Sequence, residues 1–568
     1  MAPQETADPL RLRFKYSHRM FLFDFFRSFL PLHNPIGFGA SDFIELALAA
    51  LLVLLTLVRA EAQPLAMRFA KRTAWCMIAL AALPLILRLA LLAHAPAPTP
   101  AGSDDFSYWL LADTLRHFRL ANPAHPMRQF FETVFVLQDP AYSSIFPLGQ
   151  GLAMASGWLL FGQPWAGVLL SVAALCALTY WMLRAWTTPG WALTGGLLAV
   201  MQFGVLSYWV NTYWGGAVSA IAGCLAFGAL PRLRGGGRTR DGAALGMGLG
   251  LQLLTRPFEF GVMLLCAAAC LLMNRRWRIP WRAAALAFFP ALALMALQNH
   301  AVTGRWTTLP YQLSRYEYGV PTTFTFQPNP VPHRTLTQAQ QLDYQAQSAV
   351  HDGSGFWQRL MERTGFYRFF FLAPLYLALP LFLLRLKERN FQWVAATLVL
   401  FAIADNFYPY FYPHYIAALA CLFVLTAVAA LEQLSAWSPF AARLIVLLCA
   451  AHFIFWYGIH SMRDDNVRLA ATRYETWDYL NQGDPDGRIA IGQQLARIPG
   501  KQLIFVRYSP RHGFQEWLRN DADIDAQRIV WALDLGAGED QKLLQYYPDR
   551  GVWVLIADAR PPRLVKVR

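Results

Sequence analysis

The sequence predicts an all-α polytopic membrane domain followed by a small C-terminal α/β domain. Three observations carry that expectation. The 568 residues are 56% hydrophobic and only 15% charged, whereas a soluble domain carries about 25% charged residues. Apolar runs close to the ~20 residues that a bilayer core requires recur along the chain, separated by short polar or basic loops. Beyond residue 461 those long runs stop, acidic and basic residues come close to balance, and short β-type runs begin.

Residues 1–42 form an N-terminal segment with no early clean apolar core and no small-residue cleavage site, so a cleavable signal peptide is not expected. Within it, "RMFLFDFFRSFL" suits a helix lying in the membrane interface. The transmembrane domain is expected over 43–461. Spans are read near 43–59, 74–95, 165–186, 190–207, 213–230, 242–256, 258–273, 281–298, 366–385, 391–404, 412–431 and 440–459. With "FPLGQGLAMASGWLLFG" (146–162) as a re-entrant or short segment, this gives about 12–13 helices.

Charge sets the orientation. The net charge of +14 would suit a nucleic-acid partner, but its placement does not. Much of the excess lies in the loops "RFAKR", "RLRGGGRTR", "NRRWRIPWR" and "RLKERN", the pattern of cytoplasmic loops in a membrane protein. With those loops inside, the loop 102–146, "YWVNTYWGG", "TRPFEF", the long loop 299–365, "DNFYPYFYPHY" and the tail all fall on the extracytoplasmic side. Two features strain this parity: a full span at 146–162 would break it, and a span at 43–59 leaves four basic N-terminal residues outside.

The loop 299–365 is too aromatic, in "RYEYGVPTTFTFQP", for a disordered connector, and suits a lid or substrate-facing loop. In the domain 462–568, "KQLIFVRY", "RIVWAL", "GVWVLIA" and "RLVKV" read as strands and "GEDQKLLQYY" as a helix with acidic residues at its start. No phosphate-cradling glycine motif occurs there. All seven cysteines lie in apolar runs without metal-ligand spacing, so they read as small buried hydrophobes.

Chemistry-bearing residues gather in the outer loops. Asp104 and Asp105 follow the span 74–95 directly. A neighbouring pair of carboxylates, partly buried, raises the pKa of one member, which can then act as a general base on an acceptor hydroxyl or amine. The same pair could coordinate a divalent metal ion, or simply cap a helix. The following "FSYWLLADTLRHFR" is too short to span and reads as an amphipathic helix along the interface. Glu132 and Asp139 are secondary carboxylates of the same loop.

Arg256 in "TRPFEF" sits at an outer span end, where it suits either a lipid phosphate or a snorkelling role. Glu259, three residues on, is placed to pair with it. His414 in "YPHY" and His125 in "NPAHPM" suit hydrogen-bond donation or a structural role. Tyr208, Trp209, Asn211, Tyr213 and Trp214 in "SYWVNTYWGG" suit sugar contact, although an aromatic belt explains the rings equally.

An acidic pair after an early span, interfacial helices, a Pro-containing re-entry "YSSIFPLGQG", further spans and an outer C-terminal domain together resemble the GT-C superfamily of membrane glycosyltransferases, which includes protein O-mannosyltransferases and aminoarabinose transferases. The architecture matches over roughly 74–460, and sharply only over 102–150. "SDDFSYWLLADTLRHFRLANPAHPM", "SYWVNTYWGGAV", "TRPFE" and "YPHYIA" are similar to bacterial GT-C-like proteins of unassigned acceptor. There Asp104 matches the first acidic residue. The second is often Glu, so Asp105 departs from the pattern.

The resemblance implies inverting transfer of a hexosyl or pentosyl group from a polyprenyl-phosphate donor to a glycan, lipid or protein acceptor. It implies Asp104 as base, with Asp105 beside it, and a multi-pass location in the bacterial inner membrane. Two other classes compete: a transporter or flippase for lipid-linked saccharides, and a non-catalytic membrane scaffold. Against the transporter stand spans nearly free of charge and the absence of any visible repeat.

Overall fold

The computed structural model describes Leu51 and residues 62–100, 102–234, 236–272, 279–461, 487–510, 512 and 516–567. The N-terminal segment and the expected span 43–59 therefore lie outside the described residues, apart from Leu51.

The membrane domain opens with α1 (Ala62–Ala70) and α2 (Thr73–Ala90), followed by the loop-borne α3 (Ser103–Arg116). Next come α4 (Leu148–Phe161), α5 (Pro164–Leu183), α6 (Pro189–Ala199), the single turn α7 (Tyr208–Asn211), α8 (Ala217–Arg234), α9 (Thr239–Thr255), α10 (Pro257–Leu272) and α11 (Trp281–Thr303). The long loop 299–365 supplies α12 (Pro310–Tyr318), α13 (Gln338–Gly353) and α14 (Phe356–Arg363). After the four-residue α15 (Phe382–Arg385), the domain closes with α16 (Arg389–Asp405), α17 (Ala420–Trp437) and α18 (Pro439–His460). Among the described residues six helices are long and apolar enough to cross a bilayer, and the chain is a multi-pass membrane protein.

Several apolar runs are not single long helices. The run 190–207 becomes α6 and a π-helical turn, Val200–Gly204. The run 366–385 breaks into short 3-10 turns, Thr364–Phe370, Ala373–Leu377 and Leu379–Leu381. Pro374 and Pro380 remove amide donors there, which stops an α-helical ladder. The segment 146–162 forms the 14-residue α4, about 21 Å long at 1.5 Å per residue and thus short of a bilayer core.

α4 turns back on α5 through Gly162, whose φ of +69° is the left-handed conformation that favours glycine. The two helices touch backbone to backbone: a Cβ on Gly157 would fall 2.0 Å from the amide nitrogen of Gly167. Small residues that let helix backbones approach are the usual means of packing in lipid, where hydrophobic burial offers little drive.

The end of the membrane domain that holds α3 carries two layers. The loop after α3 folds a three-stranded sheet from β1 (Asn122–Pro123), β2 (Val136–Leu137) and β3 (Ala141–Ser144), ordered β1-β3-β2. The C-terminal domain contains α19 (Arg488–Arg497), β4 (Gln502–Arg507), β5 (Ile529–Leu533), α20 (Ala537–Tyr546), β6 (Gly551–Ile556) and β7 (Arg563–Lys566). Its sheet has the order β5-β4-β6-β7, with β4 parallel to β5 and β6, and β7 antiparallel at the edge. These are the four strand runs and the acidic-capped helix expected from the sequence, with Glu539 and Asp540 in the first turn.

α3 departs from its sequence reading. It does not lie along the lipid interface: of Ser103 to Thr114, only Asp104 and Trp109 are not buried. Leu110 packs with Phe130, Phe131, Val136 and Tyr142 against Leu503, Phe505 and Ile524 of the C-terminal domain. The polar residues that spoil a clean apolar stripe are bonded within the protein. Ser107 Oγ donates to Phe135 O at 2.7 Å, and Asp113 accepts from the Ala522 amide at 2.6 Å. The helix is a buried strut between two domains.

Candidate functional site

Four segments of the chain build one cluster beneath the layer formed by α3 and the C-terminal domain. The first is the N-terminus of α3, entered through Gly102 in an extended conformation. Neither carboxylate caps the helix from the N-cap position, which Gly102 occupies. Asp105 is fully buried and its Oδ1 accepts the Tyr213 amide at 3.2 Å. Asp105 thus ties α3 to the loop after α7. Asp104 is left only partly buried, although it lies deep in the protein. Burial first, then the charge of Asp105, push its pKa up to about 7, and Arg256 pulls in the opposite direction.

The second junction is the break between α9 and α10. The amide of Arg256 closes α9 on Gln252 O at 2.7 Å, and Pro257 cannot continue that ladder, so a new helix starts. This sharp turn puts the guanidinium over the ring of Tyr415, 4.3 Å from its centroid. Arg256 makes no side-chain hydrogen bond or ion pair among the described residues. Its field reaches Asp104, Tyr108, Tyr208, Tyr408 and His414. Glu259, buried one turn into α10, stays beyond ion-pair distance of it and contributes to the same field.

The third junction is the loop from α16 to α17. Asp405, the last residue of α16, is buried with Oδ2 unpartnered. Arg363 holds this loop open from α14, donating to Asp405 O at 2.6 Å, to Pro409 O at 3.1 Å and to Tyr408 O. His414 is buried, and its backbone amide donates to Tyr208 Oη at 3.0 Å. Tyr208 Oη in turn lies 3.0 Å from His414 Nδ1. A phenol that accepts from the amide and donates to Nδ1 leaves Nε2 carrying the proton. Burial, and then Arg256, hold the imidazole well below its usual pKa, so it is neutral.

The fourth is α13 in the long loop. Asp343 is buried, accepts from Gln347 Nε2 at 2.8 Å, and has its pKa pushed up to about 7 by burial and by Asp104. Sequence reasoning missed Asp343, Asp405 and Tyr408. Asp343 belongs to the loop 299–365 read as substrate-facing, and Asp405 and Tyr408 to "DNFYPYFYPHY", but nothing at the level of spacing links them to Asp104.

Other expected site residues lie elsewhere or are already bonded. Asn211 is buried and its Oδ1 accepts from Arg88 Nε at 3.0 Å, while Nδ2 donates to Val205 O and Ser207 O. Tyr213 donates its hydroxyl to Pro98 O at 2.9 Å. His125 Nε2 sits 3.1 Å from Asp525 Oδ1 and its Nδ1 accepts the Met127 amide, which fastens the first outer loop to the C-terminal domain.

Glu132 meets Arg334 at 3.3 Å and Gln340 Nε2 at 3.1 Å. Arg334 also reaches Asp139 and Glu317, each at 3.0 Å. That network joins the loops 102–146 and 299–365. Trp214 does face the cluster, 6.0 Å from the His414 ring, with its indole N–H buried and unpartnered. Among the described residues no group of three or more His, Cys, Asp or Glu side chains is gathered for a metal ion.

The arrangement offers a carboxyl group that titrates near neutrality, a fixed cation without an anionic partner, and a neutral imidazole donor. Such a set can take a proton from one group while stabilising negative charge on another.

No known protein family's sequence profile and no curated protein sequence matches the chain. Among solved structures it is similar to ArnT from Cupriavidus metallidurans in the apo state, with a TM-score of 0.46 and 12% identity over 85% of this chain and 93% of that one. The same ArnT bound to undecaprenyl phosphate gives 0.43 and 12% over 77% and 83%. The Archaeoglobus fulgidus oligosaccharyltransferase complex with zinc and sulfate gives 0.42 and 12% over 75% of this chain. The match spans 55% of the length of that archaeal enzyme. Likeness at this level leaves the functional argument to the residues themselves.

Proposed function

We propose that this protein is a GT-C-type glycosyltransferase that moves a sugar from a polyprenyl-phosphate donor to an acceptor on the extracytoplasmic side of a bacterial inner membrane. The observation that carries the reading is the pairing of Asp104, partly open with a pKa near 7, with Arg256, a deeply placed cation without a carboxylate partner. Among the described residues no carboxylate reaches this guanidinium within ion-pair distance, so its donors are open to the oxygens of a lipid phosphate.

In this reading Asp104 accepts the proton of the acceptor hydroxyl or amine as that atom bonds to the anomeric carbon. The bond from that carbon to the phosphate oxygen breaks, and its electron pair stays on the phosphate. Arg256 holds the developing charge and His414 Nε2–H donates to it. Attack opposite the leaving group inverts the anomeric centre. Asp105 positions α3, and the buried Glu259 adds a favourable field at Arg256. A divalent ion is not required by this scheme.

Purified protein with a radiolabelled polyprenyl-phosphate sugar and a mixture of candidate acceptors tests it. The expected result is sugar transfer with release of polyprenyl phosphate, lost in both Asp104→Ala and Asp104→Asn. Transfer that persists in both variants removes the base assignment. Movement of the lipid across vesicles without phosphate release points to a flippase instead. Reporter fusions after Arg240 and after His460 are expected on opposite sides of the membrane; the same side for both contradicts the orientation.

A further inference from the structure

A second cleft lies at the other end of the membrane domain, and nothing in the glycosyl-transfer scheme uses it. α16, 17 residues long, carries Asp405 at the site end and Arg389 at the opposite end, about 24 Å away along the axis. α8 likewise starts beside Trp214 and ends at Arg234. Trp186, Trp393, Arg234, Arg389, Asn390 and Cys270 line a cavity of about 70 Å³ between these helix ends. At ~10–15 Å³ per water this equals about five water-sized atoms, the size of a phosphate group.

The chemistry of the lining is one-sided. Trp186 and Trp393 stack with ring centroids 6.0 Å apart, and both indole N–H groups are already bonded, to Phe227 O and Cys266 O at 3.0 Å. They therefore offer the cavity apolar ring surface. Arg234 donates to Asn390 Oδ1 at 2.6 Å, which ties two of the lining residues together. Arg389 makes no hydrogen bond or ion pair among the described residues.

The nearby carboxylates are engaged elsewhere. Glu388 pairs with Arg385 at 2.8 Å, Glu432 with Arg385 at 3.2 Å, and Asp241 accepts the Arg238 amide at 3.1 Å. Arg232, by contrast, donates to Gly228 O and Trp181 O, each at 2.6 Å. Among the described residues the cavity thus combines two arginines, an amide and aromatic walls, and no carboxylate lines it.

We propose that this cleft binds a phosphate group between Arg234 and Arg389, on the membrane face that carries the basic loops. The phosphate is either the headgroup of an anionic phospholipid in that leaflet, its glycerol edge against the two tryptophans, or a free phosphate ion. Basic pockets between transmembrane helices on such a face are suited to lipid headgroups. The site is independent of the Asp104 cluster.

The test uses full-length protein in detergent, with phosphatidylglycerol, phosphatidylcholine or inorganic phosphate added, read by native mass spectrometry and thermal unfolding. Phosphatidylglycerol is expected to be retained and to raise Tm, while phosphatidylcholine does neither. Each of Arg234→Gln and Arg389→Gln is expected to lower apparent affinity about fivefold, the usual worth of one such charge. Arg389→Lys should recover part of the loss.

Arg443, exposed at the start of α18, serves as a control: Arg443→Gln should leave retention unchanged. An equal, arginine-dependent response to inorganic phosphate would identify the free ion as the ligand and keep the site. Absence of any shift with either probe, or an Arg443→Gln effect as large as that of Arg389→Gln, overturns the proposal.

Discussion

Replacing Asp104 by Asn should make the protein more stable and less active at once. Asp104 has its pKa raised from 3.8 to about 7. For an acid, that sign means the folded state binds the proton more tightly than the unfolded chain does. Folding therefore loses free energy as pH rises from about 4 to about 7, and the loss is complete above 7.

At about 1.36 kcal/mol per pKa unit the full rise corresponds to roughly 4 kcal/mol. Asp104 keeps part of its surface open, so water relieves much of this, and about 1–2 kcal/mol is the expected effect. Asn removes the charge while conserving shape. The gain should then be near zero at pH 4 and largest at pH 8, as an upward shift of Tm in detergent measured at both values. Transfer activity should fall to background at every pH. An Asn variant that is less stable than wild type at pH 8, or one equally stabilised at pH 4 and 8, would refute the claim that a strained carboxylate occupies this position.

Further outcomes follow from the same geometry. Arg256→Gln should reduce turnover about 10²–10³-fold, the usual loss when one charge-stabilising donor is removed, with the protein still folded by circular dichroism. The transfer rate should rise with pH around 7 as Asp104 ionises. Because the coupling between Asp104 and Asp343 is reciprocal, Asp343→Asn should move that limb to lower pH, read from kcat/KM profiles. Gly157→Leu should cost about 3 kcal/mol by forcing α4 from α5, seen as a fall in Tm with unchanged chemistry in whatever fraction remains folded.

What could be read from the chain and what could not divides along physical lines. Apolar runs locate spans because burial in lipid depends on composition alone. Thus α2, α5, α11 and α18 fall where the runs do. The β-type runs of the last hundred residues are equally local. The break at 366–385 could have been weighed from Pro374 and Pro380, which sit inside an otherwise apolar stretch. Asn211, His125 and Glu132 read as ligand-facing because their side chains can bind sugars or ions. Their hydrogen-bonding capacity is instead taken up by Arg88, Asp525 and Arg334, all distant in sequence. The converse holds for Asp343 and Asp405, which gain their meaning only when α13 and the end of α16 approach Asp104 and Arg256. Arg88, buried in α2 over the ring of Trp165 and bonded to three oxygens, is a charge in a span whose partners no spacing rule reveals.

The division of labour between the two adjacent carboxylates follows from how α3 is held. On one face, at positions i, i+4 and i+8, the Tyr213 amide fixes Asp105, Arg519 of the C-terminal domain lies over Trp109 at 5.2 Å, and the Ala522 amide reaches Asp113. On the opposite face Ser107 bonds the small sheet through Phe135 O and Ser144 Oγ, each at 2.7 Å. A helix anchored on opposite faces has little freedom to rotate. The residue 100° round from Asp105, toward Tyr108 and Arg256, is then Asp104. A base must be held within a fraction of an ångström of its substrate without being consumed by its own scaffold. One aspartate supplies the anchorage and the other is left to titrate. This predicts that Asp105→Asn, which keeps an oxygen for the Tyr213 amide, retains more activity than Asp105→Ala, whereas Asp104→Asn and Asp104→Ala are equally inactive. The reverse ranking, with Asn at 105 as damaging as Ala and Asn at 104 tolerated, would exchange the two roles.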